Sequence, residues 1–497
     1  MITVVGTGTG TPARGLAAEL AAATLVVGAR RHLESAPVPA AADRIVLGPL
    51  APALDAIAAH PGALGESAAV AVLASGDPGF FGVVRALAER FGPRALRVLP
   101  SAPSVAVAFA RVGLPWEDAA VVSAHGRDPR TAVNVCRAYP KTAVLTGPGC
   151  GPAELGAALE GTGLPRTLVV ASALGTDGEE LLHLSPAEAA ARSWPDPVNV
   201  VLCLDARGTG RTLAARPRSL AGVPARAGEW ALPEREFAHR DSMVTKYEVR
   251  ALALARLAPG PGALVWDVGA GSGSVAVECA RLGAAAVAVD RDAEAVELVR
   301  ANAAAHGVDV QTVHGAAPRV LAELPDPDGA FVGGGGADLP RIAAECARRV
   351  RRRVVVTLAA LDRLPAVREA LAGQGLEVDG VLLHAARLAP LPGEVSRLAA
   401  TNPVFVLWGT VPDFPPQARS SRPPARSSQP SAGSSQPYAD EHRPAERSPD
   451  ERNPDERNPA ERSPDEPRRD RGAAPRPASD PGPVRPAPGR QKGRSTP

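Results

Sequence analysis

Val265-Trp266-Asp267-Val268-Gly269-Ala270-Gly271-Ser272-Gly273-Ser274-Val275-Ala276-Val277-Glu278 reads as a buried strand, a glycine turn and the start of a helix. Glycine at three alternate positions lets the backbone turn sharply and approach a ligand closely. The dinucleotide fingerprint G-x-G-x-x-G/A needs Gly or Ala at position 274, where this chain has Ser274. Asp267 instead opens the loop as D-x-G-x-G-x-G, and an acidic residue there suits a cationic amine rather than a pyrophosphate. Ala286-Val287-Ala288-Val289-Asp290 reads as the next strand. Its terminal carboxylate, 23 residues after Asp267, is placed to accept hydrogen bonds from ribose hydroxyls. A glycine turn alone fits many α/β proteins; an acidic residue on either side of it narrows the reading.

The pattern resembles that of class I S-adenosylmethionine-dependent methyltransferases. Upstream lies Ser242-Met243-Val244-Thr245-Lys246-Tyr247-Glu248-Val249-Arg250-Ala251-Leu252. Its apolar residues recur with helical period, and Thr245 is expected to cap that helix with Glu248 three residues on. Downstream, strands are expected at Val310–Val313, Gly329–Val332, Val354–Thr357, near Leu382–Ala386 and at Val404–Trp408, completing a seven-stranded Rossmann-like sheet. Gly333-Gly334-Gly335-Gly336 follow the fourth of the seven; the backbone there must approach something bulky or simply turn, and the first reading fits a flat macrocycle.

Residues 228–411, expected as one domain, resemble the decarboxylating precorrin methyltransferases of cobalamin biosynthesis. The resemblance rests on M-V-T-K-Y-E-V-R-A-L, D-V-G-A-G-S-G-S-V-A-V-E, the four glycines and Asn402-Pro403-Val404. It implies that Thr245, Asp267, Gly269, Ala270, Gly271, Ser272, Gly273 and Asp290 hold S-adenosylmethionine. The position after Gly315 often carries Asp for the adenine amine; here it is Ala316, which leaves adenine to backbone groups near Ala317.

Residues 1–207 alternate strand-like apolar runs with Ala-rich helical patterns, an α/β signature. Ile2–Val5 runs into Gly6-Thr7-Gly8-Thr9-Gly10-Thr11-Pro12, and Val70–Ala74 into Ser75-Gly76-Asp77-Pro78-Gly79-Phe80-Phe81. Asp-Pro-Gly by itself is ordinary turn chemistry. With Pro100–Val105, Arg111–Trp116, Val122–Arg127 and Leu145–Pro148, these stretches resemble the tetrapyrrole methylase family, the class III methyltransferases. That family has two α/β lobes with S-adenosylmethionine in the cleft between them. The resemblance implies cofactor contacts from Gly8 or its loop, Gly76, Asp77, Ser104 and Thr146. His125 is a candidate general base, although a single His in a turn is more often structural.

Between the halves, residues 208–227 carry Gly, Pro and Arg without periodicity and read as a linker. Residues 412–497 hold 20 of the 52 prolines, almost no aliphatics and a pentad repeat from Glu446 to Asp465. Such a composition cannot bury enough apolar area to offset ordering entropy, so a disordered tail is expected. A net charge of +2 and 3% aromatics give no polyanion-binding or base-stacking signal, so no nucleic-acid partner is expected. Five scattered cysteines, no C-x-x-C pair, no signal-peptide pattern and no membrane span point to a reduced, cytoplasmic protein without a metal site.

Two dissimilar S-adenosylmethionine sites imply two methyl transfers. By resemblance the substrate is a tetrapyrrole, precorrin-6B, methylated at carbons 5 and 15 with loss of carbon dioxide from the ring C acetate to give precorrin-8X. Self-association into a homo-oligomer is also implied. The many substrate carboxylates call for arginines, and Arg387 and Arg397 flank Leu388-Ala389-Pro390-Leu391-Pro392-Gly393, a loop placed to cover a macrocycle. Two other functions compete. An RNA or protein methyltransferase acting on an exocyclic amine usually carries N/D-P-P-Y after the fourth strand, where this chain has Val332-Gly333-Gly334-Gly335. A non-catalytic corrinoid-binding scaffold would not need an intact Asp267, glycine loop and Asp290.

Overall fold

Short runs of Val, Ile, Leu and Ala become central strands here because helices cover both faces of the sheets they enter. In the computed structural model the described residues are 1–7, 16–61, 70–195, 199–207, 221–222, 229–240 and 244–412. All belong to one compact unit, Met1–Arg419. Gly8, nearly all of the expected linker and the tail beyond residue 412 lie outside the described residues.

The amino-terminal half contains two sheets. In the first, β1 (Ile2–Thr7), β2 (Leu25–Gly28), β3 (Asp43–Val46), β4 (Val70–Ser75) and β5 (Leu96–Leu99) run parallel in the order β3-β2-β4-β1-β5. The second has β6 (Ala120–Ser123), β7 (Lys141–Leu145), β8 (Arg166–Ser172), β9 (Glu180–Leu184) and β10 (Asn199–Asp205) in the order β6-β7-β10-β8-β9. There β6 and β7 are parallel, while β10 is antiparallel to β7 and β8. The helix Ser104–Arg111 joins the two sheets. Val105, Ala108 and Phe109 on it pack against Ala143, Val169 and Leu202.

The carboxy-terminal half is one seven-stranded sheet. Its strands are β11 (Leu264–Val268), β12 (Ala285–Asp290), β13 (Gln311–His314), β14 (Gly329–Val332), β15 (Arg353–Leu358), β16 (Glu377–Leu383) and β19 (Val404–Thr410), in the order β13-β12-β11-β14-β15-β19-β16. Only β19 is reversed. The seven expected strands are present, and β16 begins five residues before the expected Leu382.

Two expectations for this half change. The loop expected around Leu388–Gly393 is part of a hairpin, β17 (Ala386–Leu391) and β18 (Val395–Ala400). Pro390 is tolerated because both strands of a two-stranded ribbon are edges, and Gly393 with Glu394, both at positive φ, makes the turn. The helix expected from a Thr245 cap runs Tyr247–Leu257 with Lys246 at its N-cap and no side-chain cap bond. The Thr245 carbonyl instead accepts from Arg250, and Glu248 is drawn to Arg387, so the capping box is not made.

The halves share a core. Val135, Ala138 and Tyr139 from the helix Pro129–Ala138 and its end join Leu264, Trp266, Ala285 and Val287 in one buried cluster. A Cβ at Gly283 would stand 2.5 Å from the Tyr139 hydroxyl, and one at Gly262 would stand 2.9 Å from Thr131. Asn134 donates to the Gly262 carbonyl at 3.0 Å. Arg166, its side chain fully buried, holds the Cys136 and Arg137 carbonyls at 2.9 Å and reaches Asp309 at 2.8 Å. Arg207 bonds the other oxygen of Asp309 at 2.7 Å. Among the described residues, no helix is long and apolar enough to cross a membrane. Removing one partner of a buried pair strands the other charge, so Asp309→Ala should cost about 3 kcal/mol in a denaturant titration. An unchanged midpoint would show that the pair does not hold the halves together.

Candidate functional site

On the carboxy-terminal half the site is built from strand ends. Asp267, the fourth residue of β11, is 1% exposed. Its Oδ2 accepts from the Ala276 amide at 2.9 Å, and Oδ1 has no partner among the described residues. Burial, set against the Ala276 bond and reinforced by the nearby Asp290 charge, raises its pKa to about 7. Gly269, Gly271 and Gly273 all have positive φ, so the loop can fold over this carboxyl. Ser272 and Ser274 are buried and Ala270 is half-buried. Asp290, half-exposed at the tip of β12, accepts from the Gly271 amide at 2.9 Å and from the Asp292 amide at 3.0 Å. One carboxylate therefore shapes the glycine loop that it borders.

The four glycines after β14 have partners nearer than a macrocycle. A Cβ on Gly269 would stand 3.0 Å from Gly334, so the two glycine loops meet backbone to backbone. Gly333 is confined by Phe331 and Gly335 by Leu339 and Ile342, whereas Gly336 faces open space. Ala317 is half-buried and packs against the main core.

A leading segment, residues 229–240 and 244–247, is strapped to this edge by residues that sequence reasoning did not single out as functional. Asn302 bonds the Ala238 backbone in both directions at 2.8 Å and donates to the Ser272 carbonyl at 2.8 Å. Arg250 and Glu278, both fully buried, pair at 3.3 Å; Glu278 accepts from the Leu232 amide, and Arg250 donates to the Leu232 and Thr245 carbonyls. Arg387 is already paired within the chain. Its guanidinium bonds Glu248 at 2.6 Å and Glu234 at 2.7 Å and lies 4.7 Å from the Tyr247 ring centre. Burial would raise the Glu234 carboxyl, but the Arg387 hydrogen bonds outweigh it and hold the pKa at about 2. Arg387 therefore pins the hairpin to the leading segment. Arg397, opposite Ala389 on β18, remains exposed.

On the amino-terminal half, the carboxyl ends of β1 and β4 meet the start of the helix Ser104–Arg111. A Cβ on Gly6 would stand 2.2 Å from the Gly76 carbonyl and 2.7 Å from the Ser101 amide; one on Gly76 would lie 3.5 Å from the Ser104 amide. Asp77 accepts from the Gly79 amide at 2.8 Å, closing a turn. His125 is exposed, with its backbone pressed against Gly147, next to the buried Thr146. Arg127 lies 5.2 Å from the Phe81 ring centre, so the two lobes touch at their loops. The structure thus brings Gly76 and Ser104 together, with Asp77 in the same turn.

His32 was missed. It shares hydrogen bonds with Thr7 at 3.0 Å and Ser75 at 2.9 Å, and Arg31 donates to the same Ser75 hydroxyl at 2.9 Å. It thereby ties together the ends of β1 and β4. Burial, then the Arg31 charge, lower its pKa to about 4.

A sheet of order β13-β12-β11-β14-β15-β19-β16, with an acidic residue, a glycine loop and a second acidic residue on its carboxyl edge, defines an S-adenosylmethionine-dependent methyltransferase. A family described as tetrapyrrole (corrin/porphyrin) methylases matches residues 1–190, and one described as precorrin methyltransferase domain matches residues 236–408. A Sinorhizobium protein named precorrin-6Y C(5,15)-methyltransferase [decarboxylating] is 36% identical over 351 residues, covering 68% of this chain and 79% of the relative. A Mycobacterium tuberculosis H37Rv protein of the same name is 33% identical over 386 residues, 76% of this chain and 87% of the relative. A Pyrobaculum calidifontis protein named probable cobalt-precorrin-6B C(15)-methyltransferase (decarboxylating) is 39% identical over 183 residues, 35% of this chain and 93% of the relative. The chain belongs to the precorrin-6Y C(5,15)-methyltransferase (decarboxylating) family.

Two outcomes follow from the titrating groups. Asp267 is protonated more readily when folded, so its carboxyl costs stability progressively as pH rises from the unfolded value of 3.8 to about 7. Asp267→Asn should therefore gain in melting temperature relative to wild type across that window without cofactor, while losing about 10- to 100-fold in S-adenosylmethionine affinity by calorimetry. His32 behaves oppositely. It stays neutral when folded, so stability is lost as pH falls from 6.5 towards about 4. Melting curves of His32→Gln should be flatter than wild type over that interval; parallel curves would remove His32 from the network.

Proposed function

We propose that this chain methylates precorrin-6B at carbons 5 and 15 and removes carbon dioxide from the ring C acetate, giving precorrin-8X in cobalamin biosynthesis. The observation that carries the reading is the pair of separately built glycine-lined strand edges, one on each half. The amino-terminal half, residues 1–207, serves carbon 5; residues 228–411 serve carbon 15 and the decarboxylation.

The carboxy-terminal edge fits S-adenosylmethionine. The unpartnered Asp267 oxygen and the half-exposed Asp290 are acceptors, and Gly269–Gly273 supply a backbone that a ligand can approach. Thr245 stands in the leading segment strapped beside that edge. On the other half, Gly76, Asp77, Ser104 and Thr146 would take a second copy of the cofactor. When bound, the cofactor supplies a methyl group already activated by a sulfonium. The chain has to hold a macrocycle carbon in line with that methyl and keep water out. The pinned leading segment and hairpin perform the second task on the carboxy-terminal half. The exposed Arg397 is a candidate arginine for a substrate carboxylate there, and His125 is exposed at the other edge as a candidate base.

Leu388 and Leu398 face each other across the hairpin while 78% and 68% exposed, an apolar pair suited to contact with a second copy of the chain. All five cysteines are buried and free, in keeping with a cytoplasmic enzyme.

The test is the mass of precorrin-6B after incubation with purified protein and S-adenosylmethionine. Gain of two methyl groups with loss of one carbon dioxide is expected, and Asp267→Ala should abolish the decarboxylation. An unchanged mass despite measured cofactor binding would redirect the search to RNA and protein acceptors.

A further inference from the structure

Among the described residues, the named contacts that join the halves fall on one edge of the carboxy-terminal sheet. Gly262 precedes β11, Gly283 precedes β12, and Asp309 lies two residues before β13. These three positions receive Asn134, Tyr139, and Arg166 with Arg207, respectively. Each is at the amino end of a parallel strand. Asp267, the glycine loop and Asp290 stand at the carboxyl ends of the same strands. Strands of five or six residues place the two edges about 15–20 Å apart.

The amino-terminal half repeats the arrangement. Arg166 opens β8 and pairs in register with Asp205 at the end of β10, beside Lys141 at the amino end of β7. Thr146 follows the carboxyl end of β7, one strand length of about 15 Å away. The ion pairs to Asp309 thus leave from the edge opposite Thr146. The space between the halves is filled by Tyr139, Leu264, Trp266, Ala285 and Val287, each 2% exposed or less, together with the buried Arg166. Among the described residues it offers a macrocycle no passage.

We infer that the two reaction edges of one chain work back to back, and that the half-processed macrocycle passes from one to the other only through bulk solvent. The inference rests on the functional reading above. A polycarboxylate intermediate is suited to such release because its charges are hydrated in water and costly to bury. The Pyrobaculum relative, matched over 183 residues that make up 93% of its length, has room for only one of the halves. Covalent attachment of the other half is therefore dispensable in that protein.

Isotope dilution on the intact enzyme tests this. Labelled precorrin-6B and S-adenosylmethionine are supplied with about a tenfold excess of unlabelled half-processed macrocycle, prepared with Asp267→Ala or Gly76→Val, whichever stops midway. A freely released intermediate mixes with that pool, and the label in the final product falls about tenfold; transfer within the chain would act at a high effective concentration and leave the label undiluted. Undiluted label overturns the inference while leaving the two activities intact. Failure of wild type to methylate the substrate at all, with cofactor bound, removes the functional reading and this inference with it. As a second arm, a mixture of the two single-site variants should complete the reaction that neither completes alone, at a rate that rises with the concentration of the later-acting one. A mixture that stalls, although each variant performs its own step on supplied substrate, also overturns it.

Discussion

A carboxyl group kept out of water at the end of β11 sets the terms for the carboxy-terminal half. Asp267 is given one amide, that of Ala276, and its other oxygen is left over. Unmet demand of this kind is unfavourable in an empty protein and becomes favourable only when a donor arrives. Everything nearby keeps that demand in place: glycines at positive φ that let the loop close over it, Asp290 gripping the Gly271 amide, and Gly334 lying flat against Gly269. A side chain at Gly269 would separate the loops after β11 and β14.

The sequence was most readable where backbone geometry restricts residue choice. Asp267, Gly269, Gly271, Gly273 and Asp290 could be placed in advance because spacing alone puts them at adjacent strand ends. The seven strands followed from apolar runs. Contacts that depend on distant partners were not readable. Nothing local in Glu248 announces Arg387, 139 residues away, and that pairing dissolves an otherwise well-formed capping signature at Thr245. Pro390 and Pro392 disguised a hairpin as a loop, since proline argues against a strand unless the strand is known to be an edge. The four glycines were ambiguous because a glycine required by another glycine looks the same in sequence as one required by a ligand.

His32 and Asn302 illustrate a further limit. Each is a single polar residue whose importance lies in joining segments far apart in the chain. His32 links β1 to β4 through two hydroxyls, and Asn302 links the leading segment to the glycine loop. Short polar side chains are common enough that composition cannot mark such joints. Arg166 is similar: no local motif marks it, yet its side chain is fully buried between the halves.

The helix Pro129–Ala138 and its C-terminal cap, Tyr139, present an apolar face at Val135, Ala138 and Tyr139, and the second half covers it. An amino-terminal half taken away from its partner would present that face to water, together with the stranded guanidinium of Arg166. Halves made as separate polypeptides would have to keep this contact as an interface between chains, or else carry polar residues at these positions. Once made, the fusion works against its own reversal.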